Sequence, residues 1–119
     1  MINPDMFRAA MSKFATGVTV VTTVDNDGKP HAMTANSFAS VSLDPPTVLV
    51  CVGHNTHTYG FLEARLKFGI SILSEEQQEL GEHFAKRLED REDDVDCSYQ
   101  RIYDDIPVLR DSMVSFACH

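Results

Sequence analysis

The chain has 119 residues, of which 43% are hydrophobic and 24% charged, a length and balance typical of one globular domain with a single core. Its formal net charge of −8 argues against a nucleic-acid surface, where basic stripes are expected. No window approaches the ~18 uninterrupted apolar residues of a membrane span, the amino terminus does not resemble a secretory signal, and three cysteines without C-x-x-C spacing favour a reducing, cytoplasmic location.

A helix is predicted near the amino terminus. Asn3, Pro4 and Asp5 combine a capping amide, a proline suited to the first helical position and an acid in the first turn. Apolar residues then recur at helical spacing, so we expect a helix that packs on a sheet and closes at Gly17. These residues are Phe7, Ala10, Met11 and Phe14.

A β-hairpin follows this helix. Residues 18–24 (VTVVTTV) are β-branched at nearly every position, as in a strand. Residues 25–28 (DNDG) form a dense turn signal, and the partner strand begins at Pro30 and runs to Asn36. The hairpin would therefore hold residues 34–37 on a rigid element.

The stretch from Met33 to Gly60 alternates polar and apolar segments. Pro45 and Pro46 predict an extended corner, and residues 47–52 (TVLVCV) read as a strand buried on both faces. Asn55 is a candidate N-cap for a helix over residues 56–66, whose free N–H groups would suit a phosphate. An ordinary strand with polar turns at its ends fits the same pattern.

The remaining elements are weaker toward the carboxyl end. A strand is predicted over residues 67–73, then a capping box from Ser74 to Gln77. The next helix has Leu80, Phe84 and Leu88 on one face. An acidic loop over residues 89–98 follows. Short strands are predicted over residues 106–109 and 113–118.

Four segments of the chain closely resemble the flavin reductase-like family, the short NAD(P)H:flavin oxidoreductases. They read ATGVTVVTT, GKPHAMTANSFASVSLDPPTVLVCV, HNTHT and FGISILSEEQQELGEHFA, and they cover nearly all of residues 7–85 in order. The resemblance implies a mainly β fold with flanking helices, an FMN-binding split β-barrel with Greek-key topology, in one domain over residues 1–119. Relatives normally continue through further barrel strands and a histidine-containing segment, so we expect either a fragment or completion by a neighbouring chain, and favour a fragment.

The resemblance also implies an activity. NAD(P)H would reduce bound FMN (or FAD), and the reduced flavin would pass to a partner flavin-dependent monooxygenase. The flavin accepts hydride itself, so no catalytic side chain is assigned. A homodimer is expected, with the helix carrying Phe7 and Phe14 and the strand over residues 18–24 as candidate surfaces. The alternative is a flavin- or haem-binding module of the same superfamily without reductase turnover.

By resemblance, three groups of residues would bind the flavin. Residues near the isoalloxazine and ribityl chain would be Thr34, Ala35, Asn36, Ser37, Ser40, Cys51, Val52 and Gly53. The phosphate would be held by His54, Asn55, Thr56, His57 and Thr58, where many relatives carry a lysine or arginine. Phe84 and Ala85 match a flavin-proximal helix, although core packing is the favoured interpretation of Phe84. Cys51 equally suits a small buried apolar position.

No metal site is expected. His31 and His83 have no partner at metal-ligand spacing, and His54 and His57 lack a third ligand nearby in sequence. The sequence also lacks a P-loop, a G-x-G-x-x-G fingerprint and a serine-hydrolase elbow.

Overall fold

The computed structural model describes residues 2–11, 13, 17–92 and 97–119, which form eight strands and three helices. The strands are β1 (Thr19–Val24), β2 (Pro30–Ala35), β3 (Phe38–Leu43), β4 (Pro46–Val50), β5 (Phe68–Ile72), β6 (Tyr99–Ile102), β7 (Ile106–Leu109) and β8 (Val114–Cys118). The helices are α1 (Pro4–Met11), α2 (His57–Arg65) and α3 (Gln78–Ala85). The chain is therefore mainly β with flanking helices, as predicted.

The central sheet is antiparallel and has the order β2-β1-β5-β8. Two separate hairpins accompany it, β3 with β4 and β6 with β7, and these three sheets do not close into a barrel within the described residues. The first hairpin turns as the sequence predicted, with Gly28 at φ 79° and Asp25 accepting bonds from the backbone of Asp27 and Lys29.

The core lies where α3 and β7 cover the central sheet. Val20, Ala32, Leu73, Phe84 and Leu109 form its buried apolar cluster. The β6–β7 hairpin is held on the sheet by polar bonds as well. Leu109 N donates to Ser71 Oγ at 3.0 Å, and the Thr22 hydroxyl donates to the Pro107 carbonyl. These buried polar groups are thus paired, whereas among the described residues Ser112 Oγ is buried without a hydrogen-bond partner.

The amino-terminal helix begins as predicted, because Asn3 Oδ1 accepts a bond from Met6 N at 2.8 Å. Its packing prediction was wrong. No residue of α1 is buried, and Phe7 is 54% exposed. Within the described residues the helix ends at Met11, whereas Phe14 lies outside them.

The apolar run at residues 47–52 was also misjudged. Residues 47–50 do form part of β4, but no residue of that strand is buried, and within the described residues it pairs only with β3. Leu49 is 52% exposed, as are Val41 at 61% and Leu43 at 91% on β3. A β-branched run predicts a strand, whereas its burial depends on which elements pack against it.

The two surfaces suggested for dimerisation differ in exposure. Strand β1 is central in its sheet and buried at five of six positions, so it cannot be an outer surface of this chain. Exposed apolar side chains lie instead on α1, on the β3–β4 hairpin and on β8, where Val114 and Phe116 are exposed.

The carboxyl half contains the predicted elements with shifted bounds. The capping box between Ser74 and Gln77 is present, and α3 follows it. Leu88 falls in a separate 3₁₀ turn (Leu88–Asp90), and residues 93–96 of the predicted acidic loop lie outside the described residues. Strand β8 pairs with β5, and β6 was not predicted.

No helix among the described residues is long and apolar enough to cross a membrane. Within the same residues none of the three cysteines forms a disulfide bond.

Candidate functional site

A cleft of about 390 Å³ separates the start of α2 from the end of α3. Residues 55–58 form one side of its lining, and residues 84–89 with Arg91 form the other. His31 and Met33 of β2 complete it. The structure thus brings together Asn55, Thr56, His57, Thr58, Phe84 and Ala85, which the sequence had placed in two separate groups.

The α2 side of the cleft is a helix start. Thr56, rather than the predicted Asn55, is the N-cap, since its backbone is extended (φ −100°, ψ 151°) and its Oγ1 accepts a bond from Tyr59 N at 3.2 Å. The Thr56 hydroxyl also donates to the Gly53 carbonyl at 2.7 Å. The N–H groups of the first turn have no intrahelical acceptor, so this end of α2 favours an anion.

Thr58, in that first turn, is joined to β2 through a histidine. His31 Nε2 lies 2.8 Å from Thr58 Oγ1, and both side chains are buried. The imidazole and the Phe61 ring make a T-shaped contact, with centroids 4.9 Å apart. Burial, followed by the charges of Arg91 and His57, lowers the pKa of His31 to about 4, so its imidazole is neutral at pH 7.

The opposite side of the cleft is cationic. Lys86, Arg87 and Arg91 all line it, directly after α3. Arg91 is held in place because Nη2 donates to the Phe84 carbonyl and Nε to the Lys86 carbonyl, each at 3.1 Å. Its guanidinium also lies 5.4 Å from the centre of the Phe84 ring. Burial lowers the pKa of Arg91 without removing its charge near pH 7.

An exposed hydrogen bond joins the two sides of the cleft. His57 Nε2 lies 3.2 Å from Glu89 Oε1. The hydrogen bond from His57 lowers the pKa of the Glu89 carboxyl. A bound anion would have to displace this carboxylate from the mouth of the cleft or lie beside it.

The sequence analysis did not identify His31, Lys86, Arg87 or Arg91 as site residues. One signal was available, since Lys86 and Arg87 are the only adjacent pair of cations in the sequence and directly follow the predicted Phe84 and Ala85. His31 gave no local signal, because its partner Thr58 is 27 residues away.

A second cavity, of about 680 Å³, adjoins the other side of β2 and α3. Thr34 and Asn36 line it, and Ala85 lines both cavities. Thr34 Oγ1 donates to the Gly81 carbonyl at 2.7 Å, which ties β2 to α3. Ala35 is buried, and its carbonyl accepts a bond from the Thr19 hydroxyl.

The other predicted flavin-binding residues line neither cavity. They are Ser37, Ser40, Cys51, Val52, Gly53 and His54. Ser37 Oγ bonds both the N–H and the carbonyl of Cys51 at 3.0 Å, closing the base of the β3–β4 hairpin. Ser40 is exposed opposite Val48 of β4.

The structure also defines the neighbours of Val52, Gly53 and His54. The His54 ring packs on Tyr59 with centroids 4.6 Å apart, and Gly53 accepts the Thr56 hydroxyl bond. Val52 lines a separate apolar groove between β4 and α2. Among the described residues no cluster of three or more His, Cys, Asp or Glu side chains could hold a metal ion.

Taken chemically, the first cleft is suited to an anionic group. It offers helix N–H groups and hydroxyls on one side and three cations on the other, although the whole chain is acidic. The second cavity shares the lining residue Ala85 with the first cleft.

Residues 11–119 match the family model of the flavin reductase like domain. A probable flavin reductase from Rhizobium meliloti (strain 1021) is 43% identical over 118 residues, covering 99% of this chain and 37% of the relative. An NADH-dependent flavin reductase from Pseudomonas fluorescens is 38% identical over 117 residues, covering 98% of this chain and 66% of the relative. The chain thus spans less than two thirds of the length of each of these curated relatives.

Solved structures agree with the sequence relatives. The flavin reductase of the styrene monooxygenase from Pseudomonas putida S12 superposes with a TM-score of 0.84 at 36% identity, over 94% of this chain and 70% of that chain. Structural neighbours of this kind have the split-barrel fold, so the fold class predicted from the sequence is confirmed.

Proposed function

Because the chain belongs to the family of flavin reductase like domains, we propose that it is an NAD(P)H:flavin oxidoreductase that supplies reduced flavin to a partner monooxygenase. The observation that carries the proposal is the cleft in which the start of α2 faces Lys86 and Arg87. An acidic chain needs such local groups to hold an anionic nucleotide, since its overall field is repulsive. Relatives named as flavin reductases and as reductase components of monooxygenases support the same activity.

The residues of the cleft fit the phosphate of FMN. Backbone N–H groups of His57 and Thr58 and the Thr58 hydroxyl would contact it from one side, whereas the proton of the Thr56 hydroxyl is donated to the Gly53 carbonyl. Lys86 and Arg87 would supply the positive charge that His54 and His57 do not carry when neutral. Charge-assisted bonds of this kind are roughly twice as strong as neutral ones.

The rest of the flavin would extend from this cleft into the second cavity. Thr34 and Asn36 line that cavity, and residues 51–53 lie at the carboxyl end of β4. We therefore retain residues 34–37, Ser40 and 51–53 as proposed contacts for the isoalloxazine and ribityl chain. FMN is the flavin proposed, with FAD as the alternative.

Bound flavin would supply the hydride-accepting chemistry, and NAD(P)H would be its co-substrate. The chain would hold the ligand through β2 and the start of α2, which are rigid elements joined by the bond between His31 and Thr58. Phe84 is 5% exposed and packs in the core cluster, so its ring would shape the cleft from behind. No side chain is assigned a proton transfer.

A homodimer is proposed as well, through a surface different from the strand first considered. Val41, Leu43 and Leu49 on the β3–β4 hairpin are 61%, 91% and 52% exposed. Adjacent exposed apolar side chains of this kind mark contact surfaces in soluble proteins.

We also propose that residues 1–119 form one domain and that the protein is cytoplasmic.

The activity is tested by mixing the chain with NADH or NADPH and excess FMN, then following loss of the nicotinamide absorbance band. A Lys86→Glu, Arg87→Glu double variant should bind FMN at least tenfold more weakly, since two charge-assisted contacts are replaced by repulsion. Arg110→Glu is the matched control, because Arg110 is exposed and lines neither cavity.

Two results would count against the proposal. If the chain fails to bind FMN and FAD, it is not a flavin reductase. If it binds flavin but never oxidises NADH or NADPH, the non-catalytic flavin-binding alternative replaces it.

A further inference from the structure

The hydrogen bond between His31 and Thr58 determines whether the Thr58 hydroxyl can donate a proton to a ligand in the cleft. Thr58 Oγ1 lies 2.8 Å from His31 Nε2, and within the described residues this is the hydroxyl's only hydrogen-bond partner. Both residues line the cleft between α2 and α3. Thr58 is 2% exposed and His31 8%, so bulk water does not readily exchange for either partner.

A neutral imidazole carries one N–H, and its position decides what Thr58 can do. If the proton is on Nδ1, then Nε2 accepts the Thr58 hydroxyl proton and the hydroxyl presents only lone pairs to the cleft. If the proton is on Nε2, it is donated to Thr58 Oγ1, and the hydroxyl proton is available to a ligand. The two tautomers therefore give opposite polarity at the same oxygen.

We propose that His31 is a positioning residue for the flavin phosphate: its Nε2–H donates to Thr58 Oγ1 and thereby directs the Thr58 hydroxyl proton toward the bound phosphate. The inference rests on the proposed function, and it adds to it a residue of β2 that does not itself touch the phosphate. No bond is made or broken, since the chain only fixes which atom holds each proton.

Three observations support this arrangement. Within the described residues no acceptor lies within hydrogen-bond distance of His31 Nδ1, so a proton there would make no hydrogen bond to the protein. A proton on Nε2 would instead be donated to Thr58 Oγ1. The ring is held in place by the edge contact with Phe61 and by β2, where His31 pairs with Thr23 of β1. Finally, burial and then the charge of Arg91 lower the pKa of His31, so the ring is neutral near pH 7 and carries a single N–H.

The direct test is the tautomer of His31 in the intact chain. Nitrogen-15 NMR separates protonated from bare ring nitrogens, and it can be recorded with and without saturating FMN at pH 7. We expect Nε2–H and a bare Nδ1 in the FMN complex. A bare Nε2 in that complex would overturn the inference, whether or not any variant folds.

A pair of variants tests the same bond energetically. His31→Phe keeps a ring of similar size and removes the donor, whereas His31→Gln places an amide N–H about where Nε2 lies. FMN affinity should fall about tenfold in His31→Phe and recover in His31→Gln, while affinity for riboflavin, which lacks the phosphate, should change less than twofold. A merely structural role would weaken both ligands equally, and that outcome would refute the inference.

A second background isolates Thr58. In Thr58→Val the hydroxyl is gone, so adding His31→Phe should cost no further FMN affinity beyond about twofold. Additive losses would show that His31 acts by another route and would overturn the inference. If the parent binds neither FMN nor riboflavin, the proposed function itself fails and takes the inference with it. If it binds both and only the His31 results disagree, the function stands.

Discussion

Replacing Gly69 on β5 with alanine tests whether the β6–β7 hairpin is tightly packed on the central sheet. A Cβ added at Gly69 would lie 2.5 Å from Thr22 Oγ1, 2.6 Å from the Pro107 carbonyl oxygen and 2.8 Å from Val108 Cγ1. Side-chain Cβ atoms do not approach other atoms so closely, and one of these neighbours is backbone. Thr22 also donates its hydroxyl to that same carbonyl, so relief of the clash requires the hairpin to move away.

The magnitude follows from these contacts. Overpacking a well-filled site costs ~1–3 kcal/mol, and breaking the buried Thr22 bond adds ~0.5–1.5 kcal/mol. We therefore expect Gly69→Ala to lower the free energy of unfolding by about 2–4 kcal/mol, a large share of a typical ~5–15 kcal/mol.

Urea denaturation followed by circular dichroism measures the effect through the midpoint, with the slope checked for two-state behaviour. Gly60→Ala is the matched control, because Gly60 lies within α2 and a Cβ there meets no atom within 4 Å. It should stabilise by ~0.5–1 kcal/mol, since glycine in a helix interior costs that much relative to alanine. A Gly69→Ala loss below about 1 kcal/mol would refute the close packing of β5 against β7.

Three further perturbations have defined outcomes. Thr58→Glu should expel FMN, since a buried acid at the start of α2 repels the phosphate; flavin affinity within about threefold of the parent, under ~0.7 kcal/mol, would remove Thr58 from the phosphate site. The parent should sediment as a dimer at micromolar concentration and a Val41→Glu, Leu49→Glu variant as a monomer; a monomeric parent would contradict the proposed dimer. His31 has a pKa lowered from 6.5 to about 4, so the unfolded chain binds its proton at a higher pH than the folded chain. The stability that this residue contributes is therefore full above pH 6.5, and about 3 kcal/mol of it is lost as the pH falls to 4. This loss should be absent in His31→Gln, and identical dependence of the free energy of unfolding on pH in the parent and the variant would contradict the argument.

The cleft-lining residues that were predicted lie in segments that match the family, whereas those that were missed line the cleft only through contacts between distant parts of the chain. The cleft-lining residues of α2 and α3 were found because the resemblance covers continuous segments of chain. Lys86 and Arg87 were missed because a charge pair after a helix is usually only a solvated end. Their relevance arises from facing the start of α2, a contact between segments about 30 residues apart.

The sequence by itself determined the local elements of this protein. Asn3 caps α1, residues 25–28 turn the first hairpin, and the Ser74–Gln77 capping box precedes α3, because each depends on neighbours a few residues away. The alternation of Phe68, Ile70 and Ile72 likewise identified β5.

Tertiary structure alone decided what those elements bury and which side chains meet. The same β-branched pattern gives a buried β1 and an exposed β4, because α2, α3 and β7 pack against β1 whereas β4 contacts mainly β3 among the described elements. His31 and Thr58 meet because β2 and α2 pack together, and burial then makes a histidine neutral at pH 7. Desolvation and packing depend on the whole arrangement of the chain, which no local pattern specifies.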